Sequence, residues 1–585
     1  MSRCPHHGAC PGCPLLDQPA DAQAARKTAT LVDAVSVYPR LALEVAPLVR
    51  AAPDFGYRTR TKWRLGPGGA VGLYRAGTHE VLDLPGCGVV RPLLAEIGRE
   101  VRAAARAPEA PAWLRDGSLG AIDVRETLGD RPAALLTLVL DRDVPLAELE
   151  RLAAALRARC PGLAAVAAHR RRQAHTVLGG DTIPLLGPLE VEDRLAPGLP
   201  PFLTTFGAFA QAHRGVAAAI VERLRDALRG PPRRVLELFA GAGALGLALA
   251  EAGHTVEAVE SFGPAMERLR LAASRRGLEG RIRAHAADAT TLALELAARG
   301  ERFDAVVVNP PRTGLTPPLR AALVALSAPL VQYVSCEPRT LARDLSDLAV
   351  RGLLARHAVP FDMMPQTAEV ETLVALAPGP APAPQVLFED EALIAVDKPP
   401  HLPTTPQSEH ASSLLQQVRE ALGVPDAVPV HRLDAGTSGV CLLARHPSRV
   451  EALAAALAAG TKRYQALVRG VTHGKGKIER PLKEGSRLLP ATTRYERKRV
   501  VGGHALLVVR PVEGRTHQIR RHLASIGRPV VGDLRHGHGP TNQHLYERFG
   551  LDRTFLHLGS IELADGRRIE APLAPDLRAV LDAMG

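Results

Sequence analysis

No stretch of this chain approaches the eighteen or so consecutive apolar residues of a membrane-spanning helix, and its first residues contain no apolar signal core. Those two absences exclude a helical membrane protein and lead us to expect a soluble, cytoplasmic one. Cysteine is scarce: seven in 585 residues, an odd number, three of them at Cys4, Cys10 and Cys13. A disulfide framework is a poor fit to that distribution, whereas a reducing compartment and metal ligation fit well. Negative charge is outweighed, leaving a net +12. A basic surplus favours an acidic partner such as RNA or DNA, although an arginine- and alanine-rich composition produces the same surplus without one. The length allows three or four compact units.

What is present begins with Cys4-Pro-His-His-Gly-Ala-Cys10-Pro-Gly-Cys13, on a backbone too rich in Pro and Gly for helix. Thiols so closely spaced suit a metal ion or an iron–sulfur cluster, with Cys87 of Leu84-Pro-Gly-Cys87-Gly as the fourth ligand. The spacing does not choose between zinc and iron–sulfur, and His6 or His7 is an alternative zinc ligand. Phe55-Gly-Tyr-Arg-Thr-Arg-Thr-Lys-Trp-Arg64 interleaves aromatic and basic side chains as a strand with one basic face. Such a face neutralises phosphates and stacks bases, or is simply solvated. Residues 91–198 alternate helix (Leu146–Arg159) and strand (Ala133–Leu140), and His169-Arg-Arg-Arg172 offers another phosphate contact or a surface turn.

From residue 199 the pattern becomes regularly βα. Arg234-Val-Leu-Glu-Leu-Phe239-Ala-Gly241-Ala-Gly243 is an apolar strand running into a glycine turn, the nucleotide-binding opening of a doubly wound sheet. The next strand ends at Glu260, placed for ribose hydroxyls, and the third near Asp288, placed for an adenine amino group. The fourth ends in Asn309-Pro-Pro-Arg-Thr-Gly314, a rim typical of S-adenosylmethionine sites. The fifth, Leu330-Val-Gln-Tyr-Val-Ser335-Cys336-Glu337-Pro, delivers a thiol at the strand end where open α/β sheets place ligands. Its plain alternative is a buried cysteine used as a small apolar residue. Glu371, opening the next strand after Asp362-Met-Met-Pro365, brings a carboxylate to the same crevice.

These residues resemble the uracil-C5 RNA methyltransferases over positions 1–378. The resemblance implies a [4Fe–4S] cluster on Cys4, Cys10, Cys13 and Cys87. It implies S-adenosylmethionine held by Gln211, Phe239, Gly241, Gly243, Glu260, Asp288 and Asn309. It makes Cys336 the nucleophile that adds to uracil C6 and Glu371 the base that removes the C5 proton. The cysteines begin at residue 4, which points to the short 23S rRNA type without an OB-like domain. Three positions depart from the family pattern: Ala240, His213 and Glu337 stand where Cys, Asn and Asn are usual. A carboxylate at Glu337, if turned towards Cys336, would raise the thiol pKa.

Ala377-Pro-Gly-Pro-Ala-Pro-Ala-Pro-Gln385 is an extended spacer. Beyond it His431-Arg-Leu-Asp434-Ala-Gly-Thr-Ser-Gly439, Lys462-Arg-Tyr464-Gln-Ala and Gly514-Arg515-Thr-His-Gln-Ile-Arg520 resemble the RluA-type pseudouridine synthases, over 386–585. That family uses no cofactor. By the resemblance Asp434 is the catalytic carboxylate acting at the ribose, and Tyr464 stacks on the base. An arginine of the last motif, Arg515 or Arg520, pairs with Asp434, and Arg515 is taken as the catalytic one. Arg432 is suited to fill the gap left by a flipped base, and His557 is suited equally to structure.

The expected fold is therefore multi-domain, α/β and α+β. An iron–sulfur and RNA-binding region (1–90) is followed by a central α/β region (91–198) and a Rossmann-like methyltransferase domain (199–378). A Pro-rich linker (379–385) leads to a mixed α/β pseudouridine synthase domain (386–585). The expected function is 5-methyluridine plus pseudouridine formation at adjacent uridines of the helix-35 loop of 23S rRNA, by a monomer with no membrane partner. The alternatives are tRNA targets, an RNA-binding or chaperone protein with one inactive half, and DNA cytosine methylation. The last gives no reason for the cysteine cluster.

Overall fold

The protein is described by a computed structural model at residues 4–38, 40–171, 181–406 and 412–585. Three large sheets organise it. The first has eight strands, in the order Glu44–Val45, Leu353–Phe361, Glu371–Pro378, Val331–Ser335, Ala305–Val308, Arg234–Leu238, Thr255–Glu260, Ile282–Ala286. The run from Val331–Ser335 to Ile282–Ala286 is parallel, whereas Glu371–Pro378 is antiparallel to both of its neighbours. Helices cover both faces, so the central strands are apolar throughout: all four residues of Ala305–Val308 are buried. Chain order reverses between Arg234–Leu238 and Ala305–Val308, which opens a crevice at the carboxyl ends of those strands.

A second sheet of seven strands takes Arg60–Gly66, Ala70–Tyr74 and Val81–Asp83 together with Leu119–Leu128, Pro132–Leu140, Leu163–Arg170 and Thr182–Leu186. Regions 1–90 and 91–198, anticipated as separate, thus share one sheet, backed by helices Pro92–Arg106 and Leu146–Arg159. The first helix, Ala20–Ser36, packs instead on the methyltransferase-like half. There its fully buried Lys27 pairs with Asp362 and donates to the Met364 carbonyl at 2.9 Å. Asp362 therefore anchors a loop. The expected basic strand starts only at Arg60, and Arg60 is spent on buried Asp123 at 2.6 Å, leaving Lys62 exposed. Arg170 and Arg171 pair with Asp143 and Asp141, and Arg172 lies outside the described residues.

The third sheet runs Gln385–Glu389, Leu393–Lys398, Ser438–Ala444, Leu556–Glu562, Thr461–Val468, His504–Pro511, Thr492–Val501, Lys475–Glu479, with two short strands attached. It docks on the first half through buried charge. Arg320, with no exposed surface, reaches Asp344 (2.6 Å) and Asp347 (2.7 Å) on helix Pro338–Val350, and Asp552 (2.7 Å) of the last 200 residues. Arg343 donates to the Gly550 carbonyl at 2.9 Å, and the Gln417 amide to the Val350 carbonyl at 2.6 Å. Val350 itself lies in an apolar cluster with Ile394, Val396 and Leu414. Proline at 378, 380, 382 and 384 keeps the connection extended between strands ending at Pro378 and starting at Gln385.

Candidate active sites

In the first crevice every residue of Val331–Ser335 is buried, and Cys336 emerges from its end half-buried. Ser335 pairs with Thr372 across the antiparallel neighbour, so one further step of that register sets Glu371 opposite Cys336. Burial first, then the Glu371 charge, pushes the Cys336 thiol up to about 11, while Arg312 pulls it down. Burial, with the Glu369 charge behind it, lifts Glu371 to about 7. Glu337 turns away. It caps helix Pro338–Val350 and meets Arg312 at 3.3 Å, and its charge is the smallest of the named influences on the thiol. The departure from Asn at this position is thus absorbed by a helix cap and an ion pair. Arg312 also grips Glu369 at 3.0 Å.

The loop from Asn309 to Gly314 is set by a buried carboxylate. Asp344 accepts from the Leu315 amide at 2.6 Å and from the Tyr333 hydroxyl at 2.8 Å. At Gly314, with φ 75°, a Cβ would stand 2.4 Å from that carboxylate.

Gln211, Phe239, Gly241 and Asn309 line the cavity beside these strands. Phe239 (φ 63°) and Gly241 (φ 57°) both adopt left-handed backbone, which turns the loop sharply above the sheet. A Cβ on Gly241 would touch only Phe209, at 3.9 Å, so the backbone there is open to a ligand. A Cβ on Gly243 would strike Leu269 at 2.5 Å, so this glycine serves helix packing. Glu260 accepts from the Gly241 amide (3.1 Å) and the Phe262 amide (3.0 Å), at the ribose position of such crevices. Asp288 caps helix Ala289–Ala298 through the Thr291 amide at 2.8 Å, and its side chain is exposed at the end of the third strand.

Two wall residues escaped the sequence reading. Phe209 exposes 58 % of its surface over the glycine loop. Glu237, inside strand Arg234–Leu238, is buried with Oε2 unpartnered, and burial raises it to about 8. A charged residue in an otherwise apolar strand was the available signal. The open glycine backbone, the Glu260 carboxylate and the orphaned Glu237 oxygen fit S-adenosylmethionine, a cation-bearing nucleoside.

Cys4, Cys10, Cys13 and Cys87 line one small pocket with His6 and His7. Burial, then the neighbouring Cys87, Cys10 and Cys4, pushes the Cys13 thiol up to about 11. Among the described residues no three Cys, His, Asp or Glu side chains are drawn together at ligating distances. The donor set fits a thiolate-bound group in kind, though not in the distances between its side chains. His213, another departure from the family pattern, caps helix Arg214–Ala227 and stacks on Tyr57 with centroids 5.2 Å apart.

In the last sheet a cleft of about 580 Å³ contains Asp434, Tyr464, Arg432, His517 and Arg520. Arg520 Nη1 donates to Asp434 Oδ2 at 2.8 Å, while its Nε and Nη2 hold the buried Asp533 at 2.6 and 2.7 Å. Arg515, the other candidate and the one taken as catalytic, also lines this cleft, but its Nε donates to the Pro490 carbonyl at 3.2 Å rather than meeting Asp434. The reason is helical. Arg520 lies in Gln518–Ser525, whose first turn faces the cleft, whereas Arg515 precedes the left-handed His517 (φ 53°). Tyr464, in strand Thr461–Val468, has its hydroxyl pKa raised by burial and then by Asp434. Fully buried Lys398, brought down to about 7 by burial, donates to the carbonyls of Leu402 (2.7 Å) and Ala435 (3.2 Å) and so ties down the residue after Asp434. His557 is structural: fully buried, it hydrogen-bonds Ser438 at 3.0 Å.

Comparisons with known proteins match both halves of the chain. Residues 392–525 match the RNA pseudouridylate synthase family model, and 291–378 match the tRNA (uracil-5-)-methyltransferase model. Residues 215–325 match a model described as conserved hypothetical protein 95. The 23S rRNA (uracil(1939)-C(5))-methyltransferase RlmD of Pseudomonas aeruginosa is 31 % identical over 399 residues, 64 % of this chain and 80 % of that protein. An uncharacterized RNA methyltransferase of Listeria monocytogenes is 26 % identical over 385 residues, 64 % of this chain and 83 % of that one. The Pyrococcus abyssi tRNA (uracil-54, C5)-methyltransferase, solved with S-adenosyl-L-homocysteine, is 22 % identical with a TM-score of 0.49, covering 63 % of this chain and 86 % of that one. The chain belongs to the uracil-C5 RNA methyltransferase family, in an RlmD-like form fused to an RluA-type pseudouridine synthase domain.

Proposed function

We propose that the protein makes 5-methyluridine and pseudouridine in the same RNA molecule, 23S rRNA, using Cys336 and Glu371 for the first and Asp434 for the second. The observation that carries this reading is the facing of Cys336 and Glu371 beside the glycine-loop cavity, in a chain that also pairs Asp434 with Arg520.

Uracil C5 is a weak nucleophile until a thiolate adds to C6. Cys336 Sγ forms that bond, and the C5=C6 electrons pass into an enolate. S-adenosylmethionine, when bound, supplies an electrophilic methyl group for C5. Glu371 then accepts the C5 proton, the C5=C6 bond re-forms, and the Sγ–C6 bond breaks to return the thiolate. A carboxylate near 7 suits that proton transfer at neutral pH. In the second site Asp434 acts at the ribose while the N1–C1′ bond breaks, and the uracil turns and rejoins through C5, which loses its proton while the released N1 gains one. Arg520 holds Asp434 in place through its Nη1 hydrogen bond.

The target reading rests on the pairing of catalysts and on the name of the Pseudomonas relative. Two catalysts in one chain meet one RNA at high effective concentration. That favours neighbouring uridines, for which the helix-35 loop is our first choice; the relative's name favours uracil 1939 instead. We also assign a [4Fe–4S] cluster to Cys4, Cys10, Cys13 and Cys87, supported by their lining of one pocket. Nucleotide-resolution mapping of rRNA and tRNA from a deletion strain tests the target. Loss of one 5-methyluridine and one adjacent pseudouridine from 23S rRNA is expected. Loss from tRNA alone would overturn the assignment.

A further inference from the structure

A groove of about 360 Å³ lies between the two halves and takes its walls from both. One wall is the rim of the methyltransferase site. It includes Arg312 and Glu337, the second of which directly follows Cys336, and then Arg339. The other wall belongs to helix Gly539–Phe549 of the synthase half, through Tyr546 and Arg548.

The charges in this groove are unevenly spent. Glu337 is taken by Arg312, Asp576 by Arg553, and Glu547 accepts from the Gln543 amide at 2.6 Å. Arg339 and Arg548 are exposed and have no carboxylate partner among the described residues. The Arg548 guanidinium rests over the Phe549 ring, 5.5 Å from its centroid. Two uncommitted cations and a half-buried tyrosine, beginning at a nucleophile that acts on uracil, match a single RNA strand: phosphates for the arginines, a base face for the ring.

The groove is also held in one shape. Gly550, at the end of helix Gly539–Phe549, is bound by Arg343 of the helix that follows Cys336, and two residues on Asp552 enters the buried Arg320 cluster. The synthase wall is therefore fixed relative to the methyltransferase nucleophile.

We propose that this groove binds the RNA strand flanking the uridine that Cys336 attacks, so that Tyr546 and Arg548 of the synthase half are substrate-binding residues of the methyltransferase. This rests on the methylation reading above. The test compares full-length wild type, Arg548→Glu, Tyr546→Ala and Arg548→Lys on unmodified 23S rRNA transcript, scoring methyl incorporation and pseudouridine separately. Loss of one charge-assisted contact or one stacking contact predicts about a tenfold rise in the methylation KM for RNA, with kcat held. Pseudouridine formation stays within about twofold, and Arg548→Lys recovers most of the methylation KM. Unchanged methylation in both Arg548→Glu and Tyr546→Ala overturns the proposal. So does a parallel fall in both activities, which would mark a folding or general binding defect. If wild type methylates neither 23S rRNA nor tRNA transcript, the methylation reading fails instead.

Discussion

Arg520 holds Asp434 and Asp533 at once, with Nη1 on the first carboxylate and Nε and Nη2 on the second. The bidentate grip on buried Asp533 fixes the guanidinium plane, so the remaining Nη1 presents a directed donor to Asp434. Removing it frees Asp434 and leaves Asp533 uncompensated. Arg520→Ala should lower pseudouridine formation at least about a hundredfold while methyl transfer persists. Arg515→Ala should cost less synthase activity than Arg520→Ala, because that side chain lines the cleft but hydrogen-bonds the Pro490 carbonyl rather than Asp434. Separate assays of the two products on one RNA check both; a larger loss for Arg515→Ala would reverse the assignment.

The methyltransferase thiol should be a reluctant nucleophile in the free enzyme. With the thiol near 11, the thiolate fraction at pH 7 is roughly one in 10⁴, since each pH unit below the pKa costs a factor of ten. Glu371, near 7, must be ionised to act as base. Both requirements favour higher pH, so kcat/KM for methylation should rise through pH 7 and keep rising to at least pH 9. Glu371→Gln removes the neighbouring negative charge and should speed iodoacetamide alkylation of Cys336 at pH 8, read by peptide mass spectrometry. The same variant should accumulate the covalent RNA adduct, because the proton that permits release stays on C5.

The docking of the halves depends on buried charge. Arg320 faces three carboxylates, from Asp344, Asp347 and Asp552, and has no solvent contact. Taking out one partner of such a set costs about 3–5 kcal/mol, mostly as the penalty for the charges left behind. Arg320→Met should therefore lower stability by about that amount and separate a single unfolding transition into two. Denaturant titration followed by tryptophan fluorescence and far-UV dichroism tests this, Trp63 and Trp113 both lying in the first half. A loss below about 1 kcal/mol would show that the apolar contacts around Val350 suffice.

The parts legible in the sequence were those with local signatures. The strand ending at Cys336, the glycine turn after Leu238 and helix Leu146–Arg159 stand where periodicity and turn chemistry put them. The choice between Arg515 and Arg520 was not legible, because it depends on where a helix starts after a left-handed residue. The sharing of one sheet by regions 1–90 and 91–198 depends on pairing Arg60 with Arg125, sixty-five positions on, which no local pattern encodes. The cap that Asp288 places on helix Ala289–Ala298 was not legible either, because a strand-end carboxylate and a helix cap look alike in sequence. The Arg320–Asp552 contact, which orients one enzyme on the other, spans the linker and has no motif.

The cysteine pocket makes a prediction that separates ligands from bystanders. Cys160 and Cys441 are wholly buried in apolar cores, whereas Cys4, Cys10, Cys13 and Cys87 line one pocket. Protein purified without oxygen should carry about four iron and four sulfide per chain, with visible charge-transfer absorption. Cys13→Ser and Cys87→Ser should lose that absorption; Cys160→Ser and Cys441→Ser should keep it. Zinc in place of iron under the same preparation would point to the other donor chemistry that these thiolates allow.

Glu237 gives a pH signature to the cofactor cavity. Its carboxyl is raised by burial from the usual 4.5 to about 8, so the folded chain holds this proton more tightly than the unfolded chain. Below about 4.5 both states are protonated and the residue contributes no pH dependence. Between 4.5 and 8 only the unfolded state releases the proton, so stability falls as pH rises, and above 8 the full loss is reached. The difference corresponds to at most roughly 5 kcal/mol, at about 1.4 kcal/mol for each pKa unit. Glu237→Gln should therefore flatten the decline in melting temperature between pH 5 and 9 while wild type keeps it. S-adenosylhomocysteine, bound against the orphaned oxygen, should stabilise wild type more than the variant in the same melts. Identical profiles for the two proteins would mean that Glu237 finds a proton donor in solution that the buried strand does not supply.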